Sequence, residues 1–300
     1  MNILVIRYSA LGDAVLAYPV LDFLVLSGNR VAFLCPPGAA KILENPGIEY
    51  IDFSRNTGVF RRLSLLWCLR KNRFDLVIDL QNNRFSRRWR SFLGRDCLSV
   101  KDDPSSHALE CYASAVKEMF PVFRLQATYC LPCIGKLPPG LPERYACLFF
   151  SASTRWKSKM PSAQLGRKIA QHLMEKGVVP VLIGGPEDRR AHAGMNLPDA
   201  VDLTGSLNLT ELKSVLAGSE LVVSTDSFPM HLAAFCNGRV LGLFGPTDQK
   251  RCGPWSEKAA VVCRDLPCRP CYRSKCRKNI CMELDWENVR EAMGRVIGNW

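Results

Sequence analysis

Residues 222–234 read VVSTDSFPMHLAA: an aliphatic run ends in hydroxyl and carboxylate side chains, and a second apolar run starts at Pro229. Aliphatic β-branched residues favour a buried strand, and proline suits the first turn of a helix. The N–H groups that open a helix have no partner within it, so with nearby hydroxyls they can bind a phosphate. His231, one turn into the helix, would usually be a core residue, but Asp226 and Ser227 beside it favour a functional role.

The same alternation of strands and helices occurs on both sides of a proline-rich segment at 121–145. Before it, strands are predicted at Ile3–Arg7, Val31–Cys35, Tyr50–Phe53 and Leu76–Leu80, and helices at Ala14–Leu26, Leu63–Lys71 and Leu109–Phe120. After it, strands are predicted at Ala146–Ser151, Val178–Ile183, Leu221–Ser224 and Val240–Phe244, and helices at Ser162–Lys176, Leu209–Ala217 and Pro229–Cys236. Two such runs predict an α/β protein with two Rossmann-like lobes that face a central cleft.

Composition narrows the class of protein. The chain has 300 residues, of which 47% are hydrophobic, enough for two ordinary cores. It contains no uninterrupted apolar run of about 18 residues, the length that would span a bilayer. Its first residues predict a strand rather than a signal peptide. We therefore expect a cytoplasmic protein whose 14 cysteines are mostly reduced.

The net charge of +12 is concentrated in one region. Between Arg55 and Arg95 there are ten arginines and one lysine, against only Asp75 and Asp79. Such a patch attracts an anionic partner: nucleic acid, phospholipid headgroups or a phosphorylated glycolipid. The alternative is a set of solvated helix faces.

Two strand ends in the first lobe carry polar side chains. The turn at 8–13, YSALGD, brings Asp13 to the start of a helix, where it is either a first-turn carboxylate stabilised by the helix dipole or a general base. The segment DLQNNR at 79–84 offers carboxylate and amide groups that suit sugar hydroxyls, although they also suit an ordinary turn.

Two further strand ends in the second lobe suit a nucleotide. The segment SASTRWKSK at 151–159 combines hydroxyls with three cations, as a diphosphate requires, although neither a Walker loop nor a G-x-G-x-x-G motif is present. The segment IGGPED at 183–188 places acids after a tight glycine turn, where they either bind ribose hydroxyls or open a helix.

Taken in order, these motifs resemble those of the ADP-heptose:lipopolysaccharide heptosyltransferases, glycosyltransferase family 9, which have the GT-B fold. Residues 3–13 resemble the family's strand, S-x-x-G-D turn and helix. Residues 226–233 resemble its D-T-G-P-x-H-L-A segment, and residues 243–248 its L-F-G-P-T-D turn. The motifs at 79–81 and 184–187 fall in order between them, so the resemblance covers nearly the whole chain.

The resemblance implies an inverting glycosyltransferase that moves a heptose or related sugar from an ADP-sugar to a lipopolysaccharide inner-core acceptor such as Kdo-lipid A. Residues 1–135 would bind the acceptor and residues 136–285 the nucleotide sugar, with a helix at 286–300 crossing back to the first lobe. Asp13 would be the general base. The donor would contact Ser153, Thr154, Lys157, Lys159, Glu187, Asp226, Ser227 and His231. The acceptor would contact Ser9, Gly12, Arg61, Arg62, Gln81, Arg84 and Arg87.

The chain departs from the family pattern on the donor side. Phe228 replaces the family glycine, and its bulk restricts access to the helix start. The segment Lys159-Met160-Pro161 is one residue shorter than the family's K-x-W-P, so either Lys157 or Lys159 is the working lysine. The chain has no D-x-D motif, so cations and helix N-termini are expected to stabilise the leaving group without a catalytic metal.

A cysteine-rich segment supports a rival hypothesis. Cys268, Cys271, Cys276 and Cys281 have the spacing of a zinc knuckle with cysteine in the histidine place, which predicts structural zinc, reduced thiols or a redox-formed bridge. With the basic patch, this spacing fits a nucleic-acid-binding protein. Polar strand ends on two βα runs instead favour the transferase, for which no nucleic-acid partner is expected. The resemblance implies that such a transferase acts in the cytoplasm, at the inner leaflet of the inner membrane.

Overall fold

The structure is a computed structural model that describes residues 1–54, 56–133, 135–151, 156–236 and 238–298, with only the backbone at 94 and 95. The chain divides into two compact units, Met1–Gln126 and Ala127–Trp300. Each is an α/β unit built on a parallel sheet.

In the first unit, the described residues form a five-stranded parallel sheet with the order β3-β2-β1-β4-β5. Its strands are β1 (Asn2–Ile6), β2 (Arg30–Cys35), β3 (Ile48–Asp52), β4 (Phe74–Asp79) and β5 (Gly94–Ser99). Its helices are α1 (Leu11–Leu16), α2 (Tyr18–Leu26), α3 (Ala39–Leu43), α4 (Val59–Lys71), α5 (Arg84–Leu93) and α6 (Ala108–Lys117).

The central strands of this sheet are apolar on both faces because helices cover both sides. Ile3, Leu4, Val5 and Ile6 of β1 are all fully buried. The helix predicted at Ala14–Leu26 is divided into α1 and α2, with Pro19 in the first turn of α2. Proline is favoured at that position because the N–H group it lacks would have no partner within the helix.

In the second unit, the described residues form a six-stranded parallel sheet with the order β11-β10-β9-β6-β7-β8. Its strands are β6 (Tyr145–Phe149), β7 (Val179–Leu182), β8 (Val201–Asp202), β9 (Leu221–Thr225), β10 (Val240–Phe244) and β11 (Ala259–Cys263). Its helices are α7 (Ala163–Glu175), α8 (Arg189–Ala193), α9 (Leu209–Gly218), α10 (Phe228–Cys236), α11 (Gln249–Cys252) and α12 (Trp286–Ile297).

The C-terminal helix packs within the second unit. Helix α12 contacts β10, β11 and α7 and lies in the unit Ala127–Trp300. Its buried residues, Val289, Ala292, Met293 and Val296, recur at helical spacing and join the core of the second unit. The division between the units also lies earlier than residue 135, after Gln126.

No helix in the described part of the chain is long and apolar enough to cross a membrane.

Candidate functional site

Each sheet has one point at which its strand order reverses. In the first unit the chain winds outward from β1 to β3 and then returns to β4 on the other side of β1, and in the second unit β6 and β9 are related in the same way. Ligands of open α/β sheets bind beyond the carboxyl ends of the strands at such a point. The polar motifs at 8–13, 79–84, 151–159 and 226–231 all follow these four strands.

The Asp13 carboxylate has a well-defined position at the start of α1. Its Oδ2 accepts a hydrogen bond from the backbone N–H of Ala10 at 2.9 Å, so Asp13 does act as a capping residue. The same oxygen lies 2.7 Å from Nη2 of Arg7, and the Asp13 side chain is 33% exposed. A capping role and a role as general base are therefore compatible for Asp13, because its carboxylate is both fixed and accessible.

Arg7 is a candidate site residue that was not predicted from the sequence. Its Nη1 donates to the Leu80 carbonyl at 2.9 Å, and its guanidinium lies 5.6 Å from the centre of the Tyr112 ring. Burial alone would lower the pKa of Arg7, but the attraction of Asp13 and the other nearby groups outweighs it and raises this pKa. Arg7 therefore remains charged and orients Asp13. The available signal was a cation at the end of an otherwise apolar strand.

Asp79, at the end of β4, is fully buried and organises the turn after it. Its Oδ1 accepts the backbone N–H groups of Gln81 and Asn82 at 3.1 and 2.8 Å, and its Oδ2 accepts the Ser86 hydroxyl at 2.9 Å. Burial raises the pKa of Asp79, although these hydrogen bonds and Arg90 act against it. The carboxylate of this motif thus shapes a loop rather than facing solvent.

A pocket of about 430 Å³ lies beside this loop in the first unit. Its lining combines a cluster of aromatic rings with two cations and an amide: Tyr8, Phe53, Arg62, Asn83, Arg84 and Phe85. The Tyr8 hydroxyl donates to Oδ1 of Asn83 at 2.9 Å, which fixes both groups. Aromatic faces with guanidinium groups suit a sugar that carries phosphate or carboxylate groups.

Only some of the predicted acceptor residues line this pocket. Arg62 and Arg84 line the pocket, while Arg61 is exposed on α4. Arg87 donates to the Asn82 side chain at 2.9 Å. Gln81 directs a buried Oε1 that has no hydrogen-bond partner among the described residues. Ser9 and Gly12 belong to the turn that carries Asp13.

In the second unit, Lys159 and Asp226 connect the segments after β6 and β9. Nζ of Lys159 lies 2.7 Å from Oδ2 of Asp226 and 3.0 Å from its carbonyl oxygen, and the two side chains are only 12% and 9% exposed. The Lys159 ammonium also lies 4.6 Å from the centre of the Trp156 ring. Lys157 is exposed. Of the two candidate lysines, Lys159 is therefore the one held at the end of the sheet.

The start of α10 lies beside this pair. The Ser227 hydroxyl is 3.1 Å from that of Ser224 and donates to the Thr225 carbonyl at 3.0 Å. His231 is buried one turn into the helix. Phe228 is the first residue of α10 and is half-buried, so its ring occupies the helix start where the family pattern has glycine.

A buried network joins three strand ends of this unit. Oδ1 of Asp188 accepts the Ser151 hydroxyl at 2.6 Å, and Oδ2 accepts the backbone N–H of Gly185 at 2.8 Å. The Thr225 hydroxyl in turn donates to the Ser151 carbonyl. Asp188 thus connects the segments after β6 and β7, and Ser151 extends the connection to β9. Sequence reasoning chose the neighbouring Glu187, which is exposed on the same turn.

Two predicted donor residues, Ser153 and Thr154, lie outside the described residues. The four cysteines of the C-terminal segment are all described. Burial raises the pKa of the Cys281 thiol, and the nearby Cys271 and Cys276 add to this effect. However, no group of three or more histidine, cysteine or acidic residues in the described part of the chain is arranged to hold a metal ion. The zinc knuckle remains a prediction from spacing alone.

Known proteins resemble this chain in sequence and in fold. Lipopolysaccharide heptosyltransferase 1 of Pseudomonas aeruginosa is 26% identical over an alignment that covers 92% of this chain and 87% of the relative. A family 9 glycosyl transferase of Veillonella parvula has a TM-score of 0.80 at 16% identity, covering 99% of this chain and 97% of the other. Escherichia coli heptosyltransferase WaaC, solved with ADP-2-deoxy-2-fluoro heptose, has a TM-score of 0.71 at 19% identity, covering 89% and 94%.

The fold of both units is therefore that of the GT-B heptosyltransferases. The model of glycosyltransferase family 9 (heptosyltransferase) matches residues 106–281, which is more than half of the 300 residues. The chain belongs to glycosyltransferase family 9, the heptosyltransferases.

Proposed function

We propose that this glycosyltransferase moves a heptose from ADP-heptose to an inner-core lipopolysaccharide acceptor, with inversion at the anomeric carbon and without a catalytic metal. The observation that carries the proposal is the Arg7–Asp13 ion pair, which presents an oriented, one-third exposed carboxylate at the switch point of the first sheet. A general base must have this combination of fixed geometry and access.

The second unit would bind the donor. Lys159, Asp226 and the start of α10 combine a cation, a carboxylate and a helix N-terminus, which suits a sugar diphosphate. The homologue WaaC has been solved with an ADP-heptose analogue, which supports the choice of ADP as the nucleotide. Glu187 is exposed on the turn that follows β7, a position that suits the ribose hydroxyls.

The first unit would bind the acceptor. The pocket beside Tyr8 has the size and mixed character that a phosphorylated or carboxylated sugar needs, and Arg62 and Arg84 in its lining supply bidentate donors for such groups. The acceptor class we propose is Kdo-lipid A or a longer inner core, reached from the cytoplasmic side of the inner membrane.

In the proposed reaction, Asp13 removes the proton from an acceptor hydroxyl as its oxygen forms a bond to the anomeric carbon of the donor. The bond between that carbon and the ADP oxygen breaks on the opposite face, which inverts the configuration. Positive charge develops on the sugar, and an adjacent carboxylate stabilises it. Lys159 and the N–H groups of α10 would stabilise the negative charge on the departing ADP.

The decisive experiment compares Asp13→Asn with Asp52→Asn, which changes an exposed carboxylate at the end of β3 in the same sheet. Asp13→Asn should lower kcat by about 10²–10⁴-fold while leaving ADP affinity unchanged, and the control should retain both. Turnover near that of the wild type in Asp13→Asn would restrict Asp13 to capping. The anomeric configuration of the product, read by NMR, tests inversion, and activity in excess EDTA tests metal independence.

A further inference from the structure

Helix α4 has two apolar faces, of which its own unit uses only one. Leu65, Leu66 and Leu69 lie on the inward face and pack against the core that includes Phe53 and Trp89. These three residues provide the helical spacing that an amphipathic helix needs to attach to a sheet. The packing of the unit therefore explains the inward face completely and leaves the other face unexplained.

The outward face carries four large hydrophobic side chains. Val59, Leu63 and Trp67 lie four residues apart, so they form one stripe along the helix, and Phe60 lies beside them. Their exposed fractions are 67%, 58%, 59% and, for Phe60, 90%. Single exposed hydrophobic residues are ordinary, but a continuous stripe of four that includes two aromatic rings indicates a binding surface.

The stripe is surrounded by positive charge. Helix α4 also carries Arg61, Arg62, Arg70 and Lys71, and α5 carries Arg84, Arg87, Arg88 and Arg90, with no acidic residue in either helix. Nζ of Lys71 lies 3.4 Å from the centre of the Trp67 ring, and the Arg70 guanidinium lies 4.1 Å from that of Phe92, which is itself partly exposed. Aromatic rings beside cations are typical of the membrane–water interface.

We propose that the outward face of α4 inserts into the surface of an anionic phospholipid bilayer. Val59, Phe60, Leu63 and Trp67 would enter the boundary between headgroups and acyl chains, and the arginines and lysine around them would contact lipid phosphates. At 13 residues, or about 20 Å, α4 is long enough to lie in this interface and too short to span the membrane.

This inference rests on the proposed function and extends it. Arg62 belongs to α4 and also lines the acceptor pocket, so insertion of the helix would hold that pocket at the bilayer surface where a lipid-anchored acceptor is found. The uniform positive charge of α4 and α5 also favours a lipid surface over a second copy of this chain, whose matching face would repel it.

The test uses the full chain with Phe60, Leu63 and Trp67 all changed to serine, and with Leu26→Ser as the matched control. Leu26 is 79% exposed at the end of α2 and lies outside the stripe. In vesicle co-sedimentation, the wild type and the control should bind phosphatidylglycerol-containing vesicles and not pure phosphatidylcholine. The triple variant should bind the anionic vesicles on the order of tenfold more weakly.

Other measurements separate this surface from the active site. Thermal stabilisation by ADP and turnover of a delipidated, water-soluble acceptor should be the same in the triple variant and the wild type, while turnover of acceptor embedded in vesicles should fall. Brominated lipids should quench tryptophan fluorescence less in the triple variant. Equal vesicle binding by the triple variant and the wild type would overturn the proposal. So would a wild-type dimer that the triple variant loses without any change in vesicle binding.

Discussion

Asp188 should be the residue on which the proposed donor site in the second unit depends most, although it is buried. The residue is 6% exposed, and its carboxylate accepts hydrogen bonds from the Ser151 hydroxyl and the Gly185 N–H at 2.6 and 2.8 Å. Asp188→Ala would remove both bonds and leave a buried hydroxyl and a backbone N–H without this acceptor. The segments after β6 and β7 would then lose their connection.

The magnitude follows from those two bonds. Hydrogen bonds to a charged group contribute about 1.5–3 kcal/mol each, so the free energy of unfolding of the second unit should fall by about 3–6 kcal/mol. For a unit of this size, 1 kcal/mol corresponds to a shift in Tm of about 2–4 °C, so the expected decrease is on the order of 10 °C. Asp188→Asn retains one acceptor oxygen and should lie between the variant and the wild type.

Two assays are needed: urea unfolding to measure stability, and ADP titration of the folded protein. The control is Asp199→Ala, which changes an exposed acid. Asp188→Ala should lose ADP affinity even at temperatures where it remains folded, because the Gly185 N–H loses its side-chain acceptor and only backbone hydrogen bonds then hold the turn. A loss of stability below about 1 kcal/mol would refute the assignment, since it would mean that other groups satisfy both donors. Full ADP affinity in a destabilised variant would show that the network supports the fold and not the site.

Three further outcomes are expected. Lys159→Met should destabilise the second unit by about 3–5 kcal/mol and weaken ADP binding, because it leaves the partner carboxylate buried and unpaired, whereas Lys157→Met should change neither in the same titrations. Arg7→Met should lower kcat by about 10²-fold without affecting ADP affinity, since Asp13 loses its orientation, and Arg7→Lys should restore part of it. Burial lowers the pKa of His192 below 6.5, so the unfolded chain takes up a proton that the folded protein does not. The contribution of His192 to the free energy of unfolding should therefore be fully present above about pH 6.5, and below that pH it should fall by up to about 1.4 kcal/mol per pH unit. His192→Gln should reduce this pH dependence in urea titrations at several pH values.

The central strands were predictable because short, continuous apolar runs that alternate with helices are typical of parallel strands buried on both faces. Val240–Phe244 matches β10 at both ends. The edge strands β5, β8 and β11 were not predicted, whereas the edge strand β3 was. Strand β5 is polar and β8 has only two residues, while β11 is apolar but only partly buried. An apolar run is a strong signal for a strand buried on both faces and a weaker one at the edge of a sheet.

The positions of the candidate site residues in the fold were more predictable than their detailed contacts. Polar residues that follow central strands were expected to lie at one edge of a sheet, since parallel strands present their carboxyl ends together. Pairing across the sheet was not visible: Arg7 with Asp13 is local, but Lys159 with Asp226 joins segments 67 residues apart. Spacing alone could not decide between Lys157 and Lys159, because only the fold shows which one approaches Asp226.

The placement of α12 matters for anyone who works with part of this protein. The family match stops at residue 281, yet the apolar side of the sheet formed by β10 and β11 is covered by side chains as far along the chain as Val296. A protein truncated to residues 106–281 would expose that apolar surface to solvent, and we expect the truncated protein to aggregate during expression. Helix α12 therefore completes the core of the second unit, and a fragment of this unit must keep that helix.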